Sequence, residues 1–145
     1  MKAYIGIDVG QSGGIAVVGP DMEPWAVKMP DTVRDVCETI RALYCWSDRA
    51  SKAALELVHS SPQMGVKSAF SFGQGYGHLE MALTAAGIPW EHVRPQAWQK
   101  AMGCLTGGDK NVSKAKAQQL FPSLKITHAI ADALLIAEWL RRTNP

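Results

Sequence analysis

The sequence has little that would set it apart from ordinary globular proteins. Its 145 residues contain no apolar stretch long enough to span a membrane, no internal repeat and no low-complexity tract. Charged residues make up 19% of the chain and hydrophobic residues 47%, which are typical proportions for a globular domain. A chain of this length buries about two-thirds of the surface that its unfolded form exposes. We therefore expect a single domain over residues 1–145.

Cysteine is also scarce. Cys37, Cys45 and Cys104 are odd in number and share no C-x-x-C spacing, which favours free thiols in a reducing compartment over disulfides or a zinc site. The first residues, with one lysine and an early Asp8, do not resemble a signal peptide. We therefore expect a cytoplasmic protein that does not associate with membranes.

The net charge is only +2, but it is unevenly distributed. Most acidic side chains lie in the first 60 residues, whereas residues 94–126 have a charge of +5 with Asp109 as their one acid. Such a basic segment could bind a polyanion, and the acidic set could hold a cation. The basic residues of the segment are Arg94, Lys100, Lys110, Lys114, Lys116 and Lys125.

Hydrophobic patterning predicts an α/β fold. The first three predicted strands are separated by turn residues and form a meander, whereas the later strands are reached across helices and must join by crossovers. The expected architecture is a five-stranded mixed sheet with helices on both faces. Strands are predicted at 3–9, 13–18, 24–28, 52–58 and 90–93, and helices at 30–46, 68–86, 95–101, 112–120 and 128–142.

Three apolar elements contain ionisable residues. In "YIGIDVGQSGG", strand alternation places Asp8 on the same face as Gly6. Glu56 is embedded in "KAALELVHS". In "THAIADALLIAEWL", His128 and Asp132 are four residues apart and share one helical face. Because an unpaired charge inside a sheet is costly, one shared cation is the simplest explanation for all of them.

Each of these residues also has a purely structural interpretation. Asp8 could form the turn of the glycine-rich hairpin. Glu56 could pair with Lys52 or Arg49, and the two helix residues could be a solvated carboxylate and a helix cap. The combination favours a functional site, because the three segments can converge at one edge of a sheet.

These segments, together with "SPQMGVKSAFSFGQGYGHLEMAL", "VRPQAWQKAMG" and "DKNVSKAKAQQLFP", resemble the RuvC-type Holliday junction resolvases, particularly small phage-encoded members. The resemblance covers nearly the whole chain. It implies an RNase H-like fold, a homodimer and Mg²⁺-dependent cleavage of four-way DNA junctions. By position, Asp8, Glu56 and Asp132 match the family's metal-binding carboxylates. His128 falls where many relatives have a further Asp, although some relatives use His there.

The implied chemistry suits these residue types. Phosphodiester hydrolysis needs an activated water and neutralisation of charge on both the attacking and the leaving oxygen, which two divalent ions about 4 Å apart provide. Mg²⁺ prefers carboxylate oxygens and water. We expect Asp8 to bridge two Mg²⁺ ions, Glu56 to bind one of them, and His128 and Asp132 to bind the other. Because an imidazole ligand suits Mn²⁺, we expect Mn²⁺ to support activity as well.

The lysines of the basic segment are expected to contact phosphates near the cut. Lys110, in the "GGDK" loop, is the strongest single candidate, whereas Lys114 and Lys116 could equally form the solvated face of a helix. The full expected set is Lys100, Lys110, Lys114 and Lys116.

The segment "SFGQGYG" is less informative. Its glycines are weak evidence for phosphate binding and are expected to allow close backbone packing at a helix start. We place the dimer contact on the helix at 68–86, through Phe70, Leu79 and Leu83, and assign Trp98 to the core.

Two other functional classes stay open. "GIDVGQSGG" also resembles the first phosphate-binding loop of actin-like ATPases and sugar kinases, but those proteins need two such domains, and no second Asp-Gly phosphate loop is present. The other class is a non-catalytic module that binds branched nucleic acid on the same fold. Acidic residues in all three matched segments argue against that class, and His128 keeps it open.

Overall fold

The computed structural model describes residues 2–47, 50–105 and 107–145. The observed elements follow the predicted order, and their bounds lie close to the predicted ranges. The strands are β1 (Lys2–Asp8), β2 (Gly14–Val18), β3 (Trp25–Lys28), β4 (Ala50–Glu56) and β5 (Trp90–Val93). The helices are α1 (Val33–Trp46), α2 (Val66–Ala85), α3 (Pro95–Ala101), α4 (Lys110–Leu120) and α5 (His128–Thr143).

The five strands form one mixed sheet in the order β3-β2-β1-β4-β5. The first three strands are an antiparallel meander, and β4 and β5 run parallel to β1. The predicted architecture is therefore confirmed. Since β1, β4 and β5 are parallel, their carboxyl ends lie at the same edge of the sheet, where open α/β sheets bind ligands.

The two faces of the sheet bury different residues, as strand alternation predicts. Tyr4 belongs to the core that α3, α4 and α5 cover, whereas Ile5 and Ile7 belong to the core under α1 and α2. Helix α1 begins after Thr32, whose side chain accepts a hydrogen bond from the Asp35 N–H and caps the helix. Helices therefore pack on both faces.

Two glycines let α5 lie very close to the sheet. A Cβ at Gly6 would overlap the Ala133 carbonyl oxygen and would lie 2.9 Å from the Ala137 Cα. A Cβ at Gly14 would lie 2.6 Å from the Ala129 carbonyl oxygen. The absence of side chains at both positions therefore places the first turn of α5 over the ends of β1 and β2.

Helix α2 differs from the prediction in two respects. Leu79 and Leu83 are buried in the core of their own chain and cannot form a dimer contact, because the inward face of α2 packs on the sheet. The glycines of "SFGQGYG" lie in the middle of α2, and a Cβ at any of them would meet no atom of the described residues within 4 Å. They therefore serve no close packing against the described part of the chain. These glycines are Gly73, Gly75 and Gly77.

Cys104 is buried, Cys37 is partly buried and Cys45 is exposed, and none of the three forms a disulfide within the described part of the chain. None of the helices in the described ranges combines the length and the apolar composition that crossing a bilayer requires.

Candidate functional site

Asp8 lies at the end of β1, beside a turn that requires glycine. Its ladder partner is Gly14, and the turn between them is closed by a 3.0 Å hydrogen bond from the Gly13 N–H to the Gly10 carbonyl. Gly10 has a φ of 112°, which favours glycine. A Cβ at Gly13 would overlap the Asp8 backbone and lie 3.2 Å from its Cγ. Glycine at positions 10 and 13 therefore allows the tight turn that follows Asp8.

Asp8 is poorly solvated and lies near two further carboxylates. Burial, reinforced by the charges of Glu56 and Asp132, raises the pKa of Asp8 to about 8, and the charge of Lys110 offsets part of the rise. A carboxyl group with this pKa is half-protonated near pH 8, well above the range of a solvated aspartate. Burial and the two neighbouring carboxylates therefore favour the protonated form of Asp8.

Glu56 ends β4 and is buried. Its Oε2 accepts a 2.6 Å hydrogen bond from Nε1 of Trp98, which is itself fully buried. Burial raises the pKa of Glu56 and the Asp132 charge raises it further, although the bond from Trp98 favours the ionised form. The alternative prediction that Glu56 pairs with Lys52 is wrong, because Lys52 forms a 2.9 Å ion pair with Glu91. Arg49, the other alternative partner, lies outside the described residues.

Helix α5 contributes Asp132 and His128. Asp132 is partly buried, not fully solvated, and burial raises its pKa. A hydrogen bond from the Ser113 side chain opposes this rise, followed by the charges of Lys110 and His128. His128 is exposed and is the first residue of α5, where the N-cap, Thr127, makes no side-chain capping bond. His128 is thus close enough to Asp132 for their charges to interact.

The predicted lysines differ in whether their charges act on the carboxylates of the site. Lys110 starts α4, and its charge acts on both Asp8 and Asp132, so it lies at the site. Lys114 and Lys116 are partly buried farther along the same helix, and Lys116 acts on the Cys104 thiol. Lys100 is exposed in the last turn of α3. Of the predicted lysines, Lys110 is the one whose charge acts on the carboxylates in the described ranges.

The four candidate ligands are coupled through their charges but do not form a closed cage. Among the described residues, no three His, Cys, Asp or Glu side chains come close enough together to form a ready-made metal site. Mutual repulsion keeps carboxylate oxygens apart, and a cation between them reverses that effect. The donor set of carboxylates with one imidazole suits a divalent cation, whose positive charge would favour the ionised forms of these carboxyl groups.

Two residues that act directly on these carboxylates were not predicted from the sequence. Trp98 was assigned to the core, which is correct, but its indole also bonds Glu56. Ser113, buried on α4, bonds Asp132. The sequence carries no signal for either bond, because each joins separate elements of the fold.

The fold is similar to that of two solved RuvC structures. One solved structure, Thermus thermophilus RuvC, has a TM-score of 0.68 and 21% sequence identity, covering 93% of this chain and 90% of that chain. A second, T. thermophilus RuvC in complex with Holliday junction substrate, has a TM-score of 0.70 and 19% identity, covering 99% and 97%. No protein-family model matches the sequence, and no curated protein matches it. The protein therefore has the fold of these two RuvC structures, which confirms the predicted α/β fold class.

Proposed function

We propose that the protein is a metal-dependent, structure-specific endonuclease that hydrolyses phosphodiester bonds in four-way DNA junctions. The observation that carries the proposal is the burial of Asp8 beside Glu56 and Asp132 on this fold. Burial, together with the charges of these two carboxylates, raises the pKa of Asp8 to about 8. Burying three carboxylates together is costly unless a cation neutralises them. We further propose that residues 1–145 are one nuclease domain. The odd number and the spacing of the cysteines also favour a cytoplasmic protein, because thiols stay reduced in that compartment.

Asp8, Glu56, His128 and Asp132 would hold the metal. Two Mg²⁺ ions, or Mn²⁺ in their place, would neutralise the phosphate and supply an activated water. The chain's own contribution is orientation: the Trp98 indole occupies one oxygen of Glu56 and fixes its side chain. Asp8 is fixed by its place at the end of a central strand, beside a turn in which a side chain at Gly13 would clash with it.

We propose that the DNA backbone lies along α4. Lys110 is at the site, and Lys114 follows it by four residues, so both lie on one face of the helix. These lysines, with Lys100 and Lys116, would supply affinity that does not depend on sequence and falls as salt concentration rises. Support comes from the similar RuvC structure that contains a Holliday junction substrate.

We also propose a homodimer. A four-way junction offers two symmetry-related strands, and two matched cuts require two active sites related by a twofold axis. Helix α2 presents an apolar row to solvent, with Val66 90%, Phe70 71% and Met81 66% exposed. Gly73 and Gly77 continue the same row and would let a second helix approach closely. Sedimentation that shows a monomer both with and without junction DNA would contradict a dimer.

The test separates catalysis from binding. The nearly isosteric Asp8→Asn change should abolish cleavage of labelled junctions while leaving junction binding intact or tighter, because it removes a metal ligand and a charge that repels phosphates. Asp21→Asn, at an exposed turn position, is the matched control and should cleave as the wild type does.

Other results would favour another function. Junction binding by the wild-type protein without cleavage in Mg²⁺ or Mn²⁺ would identify a non-catalytic binding module. Saturable binding of Mg-nucleotide would identify a nucleotide-binding domain instead.

A further inference from the structure

Glu56 is held at two points by side chains from outside its own strand. Its carboxylate accepts the hydrogen bond from Trp98. Its backbone carbonyl accepts a 3.2 Å hydrogen bond from the hydroxyl of Tyr76, which lies on α2. The Tyr76 hydroxyl therefore fixes the backbone at Glu56, where β4 ends.

The hydrogen bond from Tyr76 lies where β4 loses one of its neighbouring strands. The ladder between β1 and β4 ends at the pair of Ile7 and Leu55, so Glu56 lies beyond it. On the other side the chain stays paired with β5, through Glu56 with Val93 and through a 2.7 Å bond from the Leu57 N–H to the Val93 carbonyl. A strand end that is paired on only one side has fewer backbone hydrogen bonds to fix its direction. Tyr76 supplies a backbone bond that the β1 ladder no longer provides.

The ring of Tyr76 is itself fixed. It stacks on His92 of β5 with ring centroids 6.0 Å apart and planes inclined by 24°. His92 in turn meets the edge of Trp90 at 5.1 Å, and its Nε2 lies 3.6 Å from a carboxylate oxygen of Glu80 on α2. The hydroxyl of Tyr76 is therefore directed at the end of β4 by contacts from both β5 and α2.

We propose that Tyr76 is a positioning residue for Glu56, holding the end of β4 so that the Glu56 carboxylate stays aligned with Asp8 and Asp132. This inference rests on the proposed role of Glu56 as a metal ligand. It also joins α2, which carries the proposed dimer face, to the strand that bears Glu56. Outer-shell partners of metal ligands typically change activity by about 10- to 100-fold when they are removed.

The first test needs neither metal nor DNA. The indole N–H resonance of Trp98 reports its hydrogen bond to Glu56 and is identified by its loss in Trp98→Phe. Tyr76→Phe removes the hydroxyl and keeps the ring, so it should shift or broaden this resonance in the metal-free protein. Tyr44→Phe is the matched control, because Tyr44 is a partly buried tyrosine against the same core, and it should leave the resonance unchanged.

The second test is kinetic. Tyr76→Phe should lower the turnover of junction cleavage about tenfold at an unchanged KM for the junction, since the variant misplaces a ligand without touching the DNA-binding lysines. Tyr44→Phe should behave as the wild type. An unmoved Trp98 resonance, or an unchanged turnover, would overturn the role of Tyr76.

The two tests also separate this inference from the proposed function. If the wild type cleaves no junction, the proposed function fails, and the Trp98 resonance still decides whether Tyr76 positions Glu56. If Tyr76→Phe does not fold, His92→Ala replaces it. That variant keeps the hydroxyl, removes the stacked ring and should move the same resonance in the same way; an unmoved resonance overturns the inference.

Discussion

Replacing Asp8 by Asn should remove a pH dependence from the folding stability of the metal-free protein. Burial and the neighbouring carboxylates raise the pKa of Asp8 from an ordinary 3.8 to about 8. Because the folded state has the higher pKa, it retains a proton that the unfolded chain releases above pH 3.8. The stability linked to this proton is complete below that pH and is lost as the pH rises through about 8.

The size of the effect follows from the two pKa values. One proton held by the folded state alone changes the free energy of unfolding by about 1.4 kcal/mol for each pH unit. From 3.8 to about 8 the interval is about four pH units, so the total loss has an upper limit of about 6 kcal/mol. Between about pH 5 and about pH 8, Asp8 should contribute a slope of about 1 kcal/mol per pH unit. Glu56 and Asp132, whose pKa values are also raised, add slopes of the same sign in both proteins.

Urea unfolding in EDTA over this pH range measures the difference. The free energy of unfolding of Asp8→Asn should fall less steeply with pH than that of the wild type, so that the variant is the more stable protein at the alkaline end. Asp21→Asn, at an exposed position, should follow the wild type. Adding Mg²⁺ should stabilise the wild type most at high pH, where Asp8 is ionised and binds a cation. Parallel curves for wild type and Asp8→Asn would refute the reasoning.

Substitutions at three further positions test other parts of the structure. Trp98→Phe should lower cleavage about tenfold, measured as turnover, because it frees the Glu56 carboxylate. His128→Ala should lower the cleavage rate with either metal. His128→Asp should reduce the ratio of the cleavage rate in Mn²⁺ to the rate in Mg²⁺. Unchanged rates in His128→Ala would make His128 a structural helix-start residue. Gly6→Ala should destabilise the fold by about 3 kcal/mol in urea unfolding, because its Cβ would lie 2.9 Å from the Ala137 Cα.

The fold was largely predictable from local patterns. Strand alternation placed Gly6 and Asp8 on one face, and the helix-period pattern and the capping Thr32 marked α1. The dimer assignment of Leu79 and Leu83 was wrong, because a hydrophobic position on a helix does not say whether it faces its own core or a partner. That information resides in how α2 packs on the sheet.

The candidate site was predictable in part. Asp8, Glu56 and Asp132 were identifiable because each is a carboxylate inside an apolar segment, and the structure brings their charges together. The hydrogen bond from Trp98 to Glu56 spans 42 residues of sequence, and the hydrogen bond from Tyr76 to Glu56 spans 20. Neither leaves a periodic signal in the sequence. Such contacts arise only when separate elements pack, so local sequence patterns cannot reveal them.

The central claim is that these carboxylates cut DNA at branch points. Its most direct test is incubation of the purified protein with end-labelled four-way, three-way, flap and linear duplex DNA in Mg²⁺, with the cut positions mapped on each strand. The account predicts paired, symmetry-related cuts in the four-way junction that depend on Mg²⁺ or Mn²⁺, and little cleavage of the linear duplex. No cleavage of any branched DNA in either metal would contradict it.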